Sequence, residues 1–261
     1  MVSHGSKTLI ALLAIRSALV LAFLLLCALF LSWDEATPWW PVATIATNGV
    51  CLVILIVLLR REGTPFWSIQ RAPFASPLPL GKVTQLLNDR PTESRLVNSA
   101  ADVLRFAILL LCLGFPAIAF NEFLSQTIPA LAQVDTVAPL PIWALVLMLI
   151  LLPVTQALVE FPWFYGYIYP RLEARLESHG SRRIVASTTA LAIVVAGCVL
   201  QAVVSPLILS PAYVLWRVIA FVPLFLVIGI VIRLVPRFMP GVNVLHAAMA
   251  LAVVLEFWSA R

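Results

Sequence analysis

Charge is scarce in this chain: 12 acidic and 17 basic side chains make up 11% of its 261 residues, against 62% apolar. So small a polar share excludes an ordinary soluble domain, because several apolar runs reach the ~20 residues that cross a ~30 Å hydrocarbon core. Cysteine is sparse too. Cys27, Cys51, Cys112 and Cys198 are scattered through apolar runs without CxxC spacing, which excludes a disulfide framework and a zinc site. No basic domain stands out either, since the arginines and lysines are spread over the connections, so nucleic acid is not an expected partner. The first apolar run, 8 to 32, is too long for the apolar region of a secretory signal and lacks a small-residue cleavage site, so it is expected to stay as a helix. There is no internal repeat, inverted half-to-half symmetry or low-complexity tract, which argues against a small-solute transporter.

What is present is a series of apolar runs. The expected fold is all-α, a polytopic transmembrane bundle of about seven spans at 8 to 32, 40 to 59, 101 to 121, 140 to 161, 184 to 204, 212 to 232 and 241 to 258. Two regions follow: a two-span N-terminal part, 1 to 100, with a basic loop, and a helical core over 101 to 261. Pro116, Pro153 and Pro223 read as kinks, tolerated because neighbouring helices satisfy the freed backbone groups. Arginines crowd alternate connections: Arg60, Arg61, Arg71, Arg90 and Arg95, then Arg171, Arg175, Arg182 and Arg183, then Arg233 and Arg237. The positive-inside rule therefore puts the N-terminus in the cytoplasm and the C-terminus outside. Positive inner loops suit a bacterial inner membrane, with the lipid bilayer as the first partner. The polar stretch 60 to 97, with Phe66 and Trp67 beside basic residues, is expected to lie on the headgroups, and 123 to 138 along the outer surface. Residues 171 to 179 read as a short amphipathic helix ended by Gly180.

Seven polar residues fall in or near the spans. Arg16 and Arg105 read as arginines that snorkel to the headgroups, while Gln156 and Gln201 read as interhelical glue. Arg217 is also placed within the bundle. Glu160 and His246 offer a carboxylate to take a proton and an imidazole to pass one on or steady an oxyanion, which is what water activation needs. An intramembrane carboxylate is costly unless it faces a polar interior, which marks Glu160 as a candidate site. Trp163, Phe164, Tyr165, Tyr167 and Tyr169 follow it. Their crowding reads first as an interfacial belt, with Tyr165 turned inward, and alternatively as the lining of a hydrophobic pocket.

The stretch from Glu160 through Gly166 to Pro170-Arg171-Leu172, the run Val199 to Leu207 with Pro206, the helix from Trp216-Arg217 to Gly229, and the region Pro240 to Ala250 with His246 resemble, in order and spacing, the motifs of the CPBP family. That family comprises CAAX proteases and bacteriocin-processing enzymes, also called Abi. The resemblance covers about 140 to 255. It implies a membrane-embedded Glu-Glu-x-x-x-Arg-Gly motif, then Phe-x-x-x-His, then His-x-x-x-Asn or His-x-x-x-Asp, whose glutamate and histidines activate water for peptide hydrolysis. The chain departs from it at five positions: Phe161 stands for the second glutamate, Tyr165 for the arginine, Cys198 for the phenylalanine, Ala202 for the first histidine and Ala250 for the last residue.

Loss of members from a catalytic unit costs several powers of ten in rate. The resemblance with these departures therefore implies a protease-like fold without ordinary protease activity, acting as a membrane scaffold, regulator or immunity-type binding protein. Its partners would be other membrane proteins or a transmembrane peptide. The alternative is an active intramembrane endopeptidase with Glu160, His246 and Tyr165 as its catalytic residues, Tyr165 serving as a substitute oxyanion donor. No cofactor and no metal are expected, since the histidine that could ligate at 202 is an alanine.

Overall fold

A computed structural model describes residues 5–74, 78, 95–109, 111, 115–127, 138–205, 208 and 210–260. Among these it is helical throughout, without a strand. Helix α1 (Ser6–Phe30) runs for 25 residues, about 37 Å at 1.5 Å per residue, enough to cross a bilayer. A turn at Trp33–Ala36 follows, opened by a capping box in which Ser32 and Glu35 satisfy each other's backbone donors. The chain then enters α2 (Trp40–Arg61). Two shorter helices, α3 (Arg95–Leu109) and α4 (Phe115–Thr127), precede α5 (Ile142–Thr155). The helical run of α5 continues without a break through Gln156–Glu160 and Pro162–Ile168, both widened to π geometry, into α6 (Tyr169–Ser178). The bundle closes with α7 (Arg183–Val204), α8 (Pro211–Leu234) and α9 (Met239–Ser259).

Six helical stretches among the described residues are long and apolar enough to span a membrane. They fall on six of the seven expected spans. The chain is thus an integral membrane helix bundle. The run expected at 101 to 121 overlaps α3 and α4, with 110 and 112 to 114 between them outside the described residues. Span four is longer than expected, because the amphipathic helix after it is its own continuation. That run ends at Ser178, and Gly180 takes a positive φ of 90° just beyond it, as a helix-ending glycine does. Pro153 and Pro223 do lie inside helices. Pro116 lies in α4 beside residues 112 to 114, which are outside the described residues.

The bundle is held by α5 packed between α2 and α9, α7 between α1 and α8, and α6 against α7. Long apolar side chains on α5, among them Ile142, Val146, Leu149 and Ile150, stay exposed on the outer face, as a lipid-facing surface requires. Inside, the main core gathers Leu9, Leu13, Leu55, Val159, Trp163, Phe164, Val194 and Ile232. The five aromatics after Glu160 belong to that core. Trp163, Phe164, Tyr165, Tyr167 and Tyr169 are all buried, which corrects the expectation of an interfacial belt. Their hydroxyl and indole groups reach partners within the bundle: the Trp163 Nε1 donates to the Leu12 carbonyl at 3.2 Å, and the Tyr167 hydroxyl to Glu62 Oε1 at 2.8 Å. Buried aromatic residues with a polar handle need such partners.

The first part of the basic loop is also packed rather than laid flat. Phe66–Arg71 forms a 3-10 turn whose Ile69 is fully buried, although Trp67 is exposed. Gly166 makes this contact possible: a Cβ there would sit 2.3 Å from the Ile69 carbonyl oxygen. Most of 75 to 94 and of 128 to 137, where the rest of that loop and the outer segment were expected, lies outside the described residues. At the same end of the bundle, arginines of the basic connections meet carboxylates. Arg171 pairs with Glu62, Arg233 with Glu173 at 2.6 Å, and Arg237 with Asp102 at 2.7 Å.

Candidate functional site

Glu160 ends the first π-widened turn, seven residues past Pro153. Single π turns inside α-helices recur at functional sites because the extra residue re-aims the side chains around it. Here the carboxylate points between α1 and α9. Its Oε2 accepts a 2.9 Å hydrogen bond from the Arg16 Nη2, and the His246 Nε2 lies 3.4 Å from the same oxygen, within ion-pair reach but off hydrogen-bond geometry. The two residues singled out in the sequence as a proton acceptor and a proton carrier are therefore in contact. The third member is Arg16. Its side chain is fully buried, so it does not snorkel as expected. It is held instead by the one carboxylate and by the face of Phe164, 5.9 Å from the ring centroid. The Arg16 Nε and Nη1 have no hydrogen-bond partner among the described residues.

His246 is positioned by stacking. Its ring lies 4.2 Å from that of Phe161 with an interplanar angle of 24°. Phe161 thus acts as a platform for the imidazole. Tyr165 is committed elsewhere: its hydroxyl donates to the Phe225 carbonyl at 2.7 Å, with the Cys198 thiol 3.9 Å away. The ring fits because Gly229 leaves room, a Cβ at that position lying 2.9 Å from the Tyr165 Cε1. Tyr165 does turn inward, but it is not among the residues that line the cavity beside Glu160. Its hydroxyl is spent on a backbone acceptor, which argues against its use as an oxyanion donor.

That cavity has a volume of about 360 Å³, within the range of pockets that take small molecules or side chains. Phe221, Phe225, Val242, Val253 and other apolar side chains form most of its wall, and Glu160, His246, Gln156, Gln201, Ser205 and Arg217 supply the polar groups. Gln156 and Gln201 are buried, and the Gln201 Oε1 has no partner among the described residues. They line a cavity instead of tying helices together, contrary to the sequence expectation. The small side chains of Ala202 and Ala250 also line it. Arg105 lies apart, half-exposed beside Asp102 at 3.7 Å. No three of His, Cys, Asp and Glu gather into a metal-binding cluster among the described residues.

Chemically, the arrangement holds one carboxylate between a permanent cation and an imidazole. A carboxylate already neutralised by a buried guanidinium is a weak proton acceptor, because taking a proton would leave that cation unpaired in a dry site. The Arg16 contact carried no signal in sequence, since 144 positions separate it from its partner. Comparison with family models, curated proteins and solved structures yields no match to this chain.

Proposed function

We propose that this chain is a membrane scaffold or regulator with a CPBP-like fold, whose intramembrane cavity binds a segment of another membrane protein and does not cleave it. The observation that carries this reading is the Arg16–Glu160 ion pair at 2.9 Å inside the bundle. It neutralises the carboxylate that lies beside His246. A second base is lacking on the cavity wall where it would be needed, since Ala202 and Ala250 stand there. The apolar wall with a few polar groups at fixed places is what recognition of an apolar helix with one or two polar side chains requires. Inner-membrane location with a cytoplasmic N-terminus completes the reading, on the distribution of basic residues among the connections.

The competing reading is an intramembrane endopeptidase. The 3.4 Å approach of His246 to Glu160 favours it, since the two could relay a proton if Arg16 moved away. New protein N-termini in membranes holding the wild-type chain, compared with Glu160→Gln/His246→Ala, separate the two. Identical sets are expected. A membrane-protein fragment made by the wild type and lost in the double variant would replace the binding reading with proteolysis.

A further inference from the structure

Arg217 lies two turns into α8 and lines the same cavity. The sequence explains why it is held there. Residue 206 is a proline, which has no N–H to offer the Ala202 carbonyl four residues back, so the last turn of α7 leaves that oxygen free. Arg217 takes it with two donors, Nε at 3.0 Å and Nη2 at 2.7 Å. Aromatic faces fix the rest of the group. Phe221, Tyr213 and Trp216 have ring centroids 4.7, 5.6 and 5.7 Å from the guanidinium carbon. No carboxylate pairs with it among the described residues. Glu256 lines the cavity too but is exposed and forms no ion pair among the described residues. A backbone carbonyl offsets only part of a full positive charge, so a cation inside the bundle is left facing a cavity without its counter-ion. An intramembrane arginine in that state is costly unless an anion completes it.

Two features decide what kind of anion. Arg217 stands near the start of α8, with Tyr213 buried beside it, and from the guanidinium the cavity wall continues apolar through Phe221, Leu224 and Val253. A cation near a helix end, beside an apolar slot, matches an anionic head joined to a hydrocarbon chain. We infer that Arg217 is the head site for a phosphate-bearing lipid whose chain enters the cavity. The guanidinium fork suits phosphate oxygens, with Nη1 making no hydrogen bond to the described residues. The inference rests on the reading of the cavity as a binding site, and gives it a resident lipid that a partner's membrane segment displaces on binding.

The probes are dodecyl phosphate, dodecyltrimethylammonium and inorganic phosphate, titrated against the full chain in neutral detergent with tryptophan fluorescence and thermal stability as readouts. Dodecyl phosphate is expected to bind saturably and raise the melting temperature. The cationic amphiphile should do neither, and inorganic phosphate should bind at least 100-fold more weakly, because it lacks the chain. Arg217→Met should weaken dodecyl phosphate at least 10-fold. Val253→Phe narrows the slot without touching the guanidinium, and should weaken dodecyl phosphate while leaving inorganic phosphate unchanged, which keeps the test open if Arg217→Met fails to fold. Equal binding of the cationic and anionic amphiphiles would overturn the inference, as would inorganic phosphate binding as tightly as dodecyl phosphate. A failure here with unchanged protein N-termini in the membrane test leaves the scaffold reading standing; a lost fragment there removes that reading whatever the lipid does.

Discussion

Replacing Arg16 by methionine removes the one permanent cation on the Glu160 carboxylate while keeping the length of the side chain. The Arg16 side chain is fully buried and that of Glu160 is 13% exposed, so the stranded carboxylate has little access to water. Unit charges about 4 Å apart attract by ~4 kcal/mol at an effective dielectric of ~20, and breaking one partner of a buried pair costs about 3–5 kcal/mol. Arg16→Met is therefore expected to lower stability by roughly 3–5 kcal/mol. Glu160→Gln leaves the guanidinium stranded and should cost a similar amount. The double variant strands neither charge, so its loss should fall short of the sum of the two by ~2 kcal/mol or more, a coupling typical of residues in direct contact. Reversible unfolding in mixed micelles, followed by tryptophan fluorescence, measures all four corners of the cycle. Losses that add to within ~0.5 kcal/mol would mean that the two groups do not interact, and the argument against Glu160 as a base would fall with them.

Three further outcomes follow from other contacts. Glu173→Gln should cost about 3–5 kcal/mol in the same unfolding assay, because it strands Arg233, whose Nη2 and Nε lie 2.6 and 2.8 Å from the Glu173 oxygens; a loss below ~1 kcal/mol would show the pair to be solvated. Gly166→Ala forces a methyl group to 2.3 Å from the Ile69 carbonyl oxygen and should destabilise by about 1–3 kcal/mol, with faster proteolysis in the 66–71 turn as a second readout. Glu35 has its carboxyl held below the ordinary glutamate value of 4.5 by the hydrogen bonds from the Ser32 backbone N–H and hydroxyl. A group depressed on folding stabilises fully above its unfolded value and loses that contribution as pH falls through the lower folded one. Carbon-13 titration of Glu35 should thus give a midpoint below 4.5, moving up towards that value in Ser32→Ala.

The helices were legible because each crosses the apolar layer as one uninterrupted run, and a run of ~20 apolar residues has few other uses. Glu160 and His246 were legible as candidates for the same reason that made them costly: a polar group in an apolar run stands out. Their contact was not. It depends on how α5 and α9 are rotated against each other, and the widened turns at Gln156–Glu160 and Pro162–Ile168 change that rotation in a way that a 3.6-residue period does not register. Arg16 was misread because an arginine nine residues into a span looks the same in sequence whether it snorkels or finds a carboxylate 144 positions away. The aromatics after Glu160 were misplaced for a related reason. Tyrosine and tryptophan beside arginines suit an interface, but Glu62 and the Leu12 and Phe225 carbonyls give them partners that only the folded bundle supplies.

The central claim is that the cavity beside Glu160 binds a membrane segment and leaves it whole. A photo-crosslinking amino acid placed at Val253, on the apolar wall, and activated in native membranes tests it most directly, in the wild-type background and with Glu160→Gln/His246→Ala. One intact membrane protein captured equally in both backgrounds is expected. An intact protein captured only by the double variant, with its fragments found alongside the wild type, would contradict it.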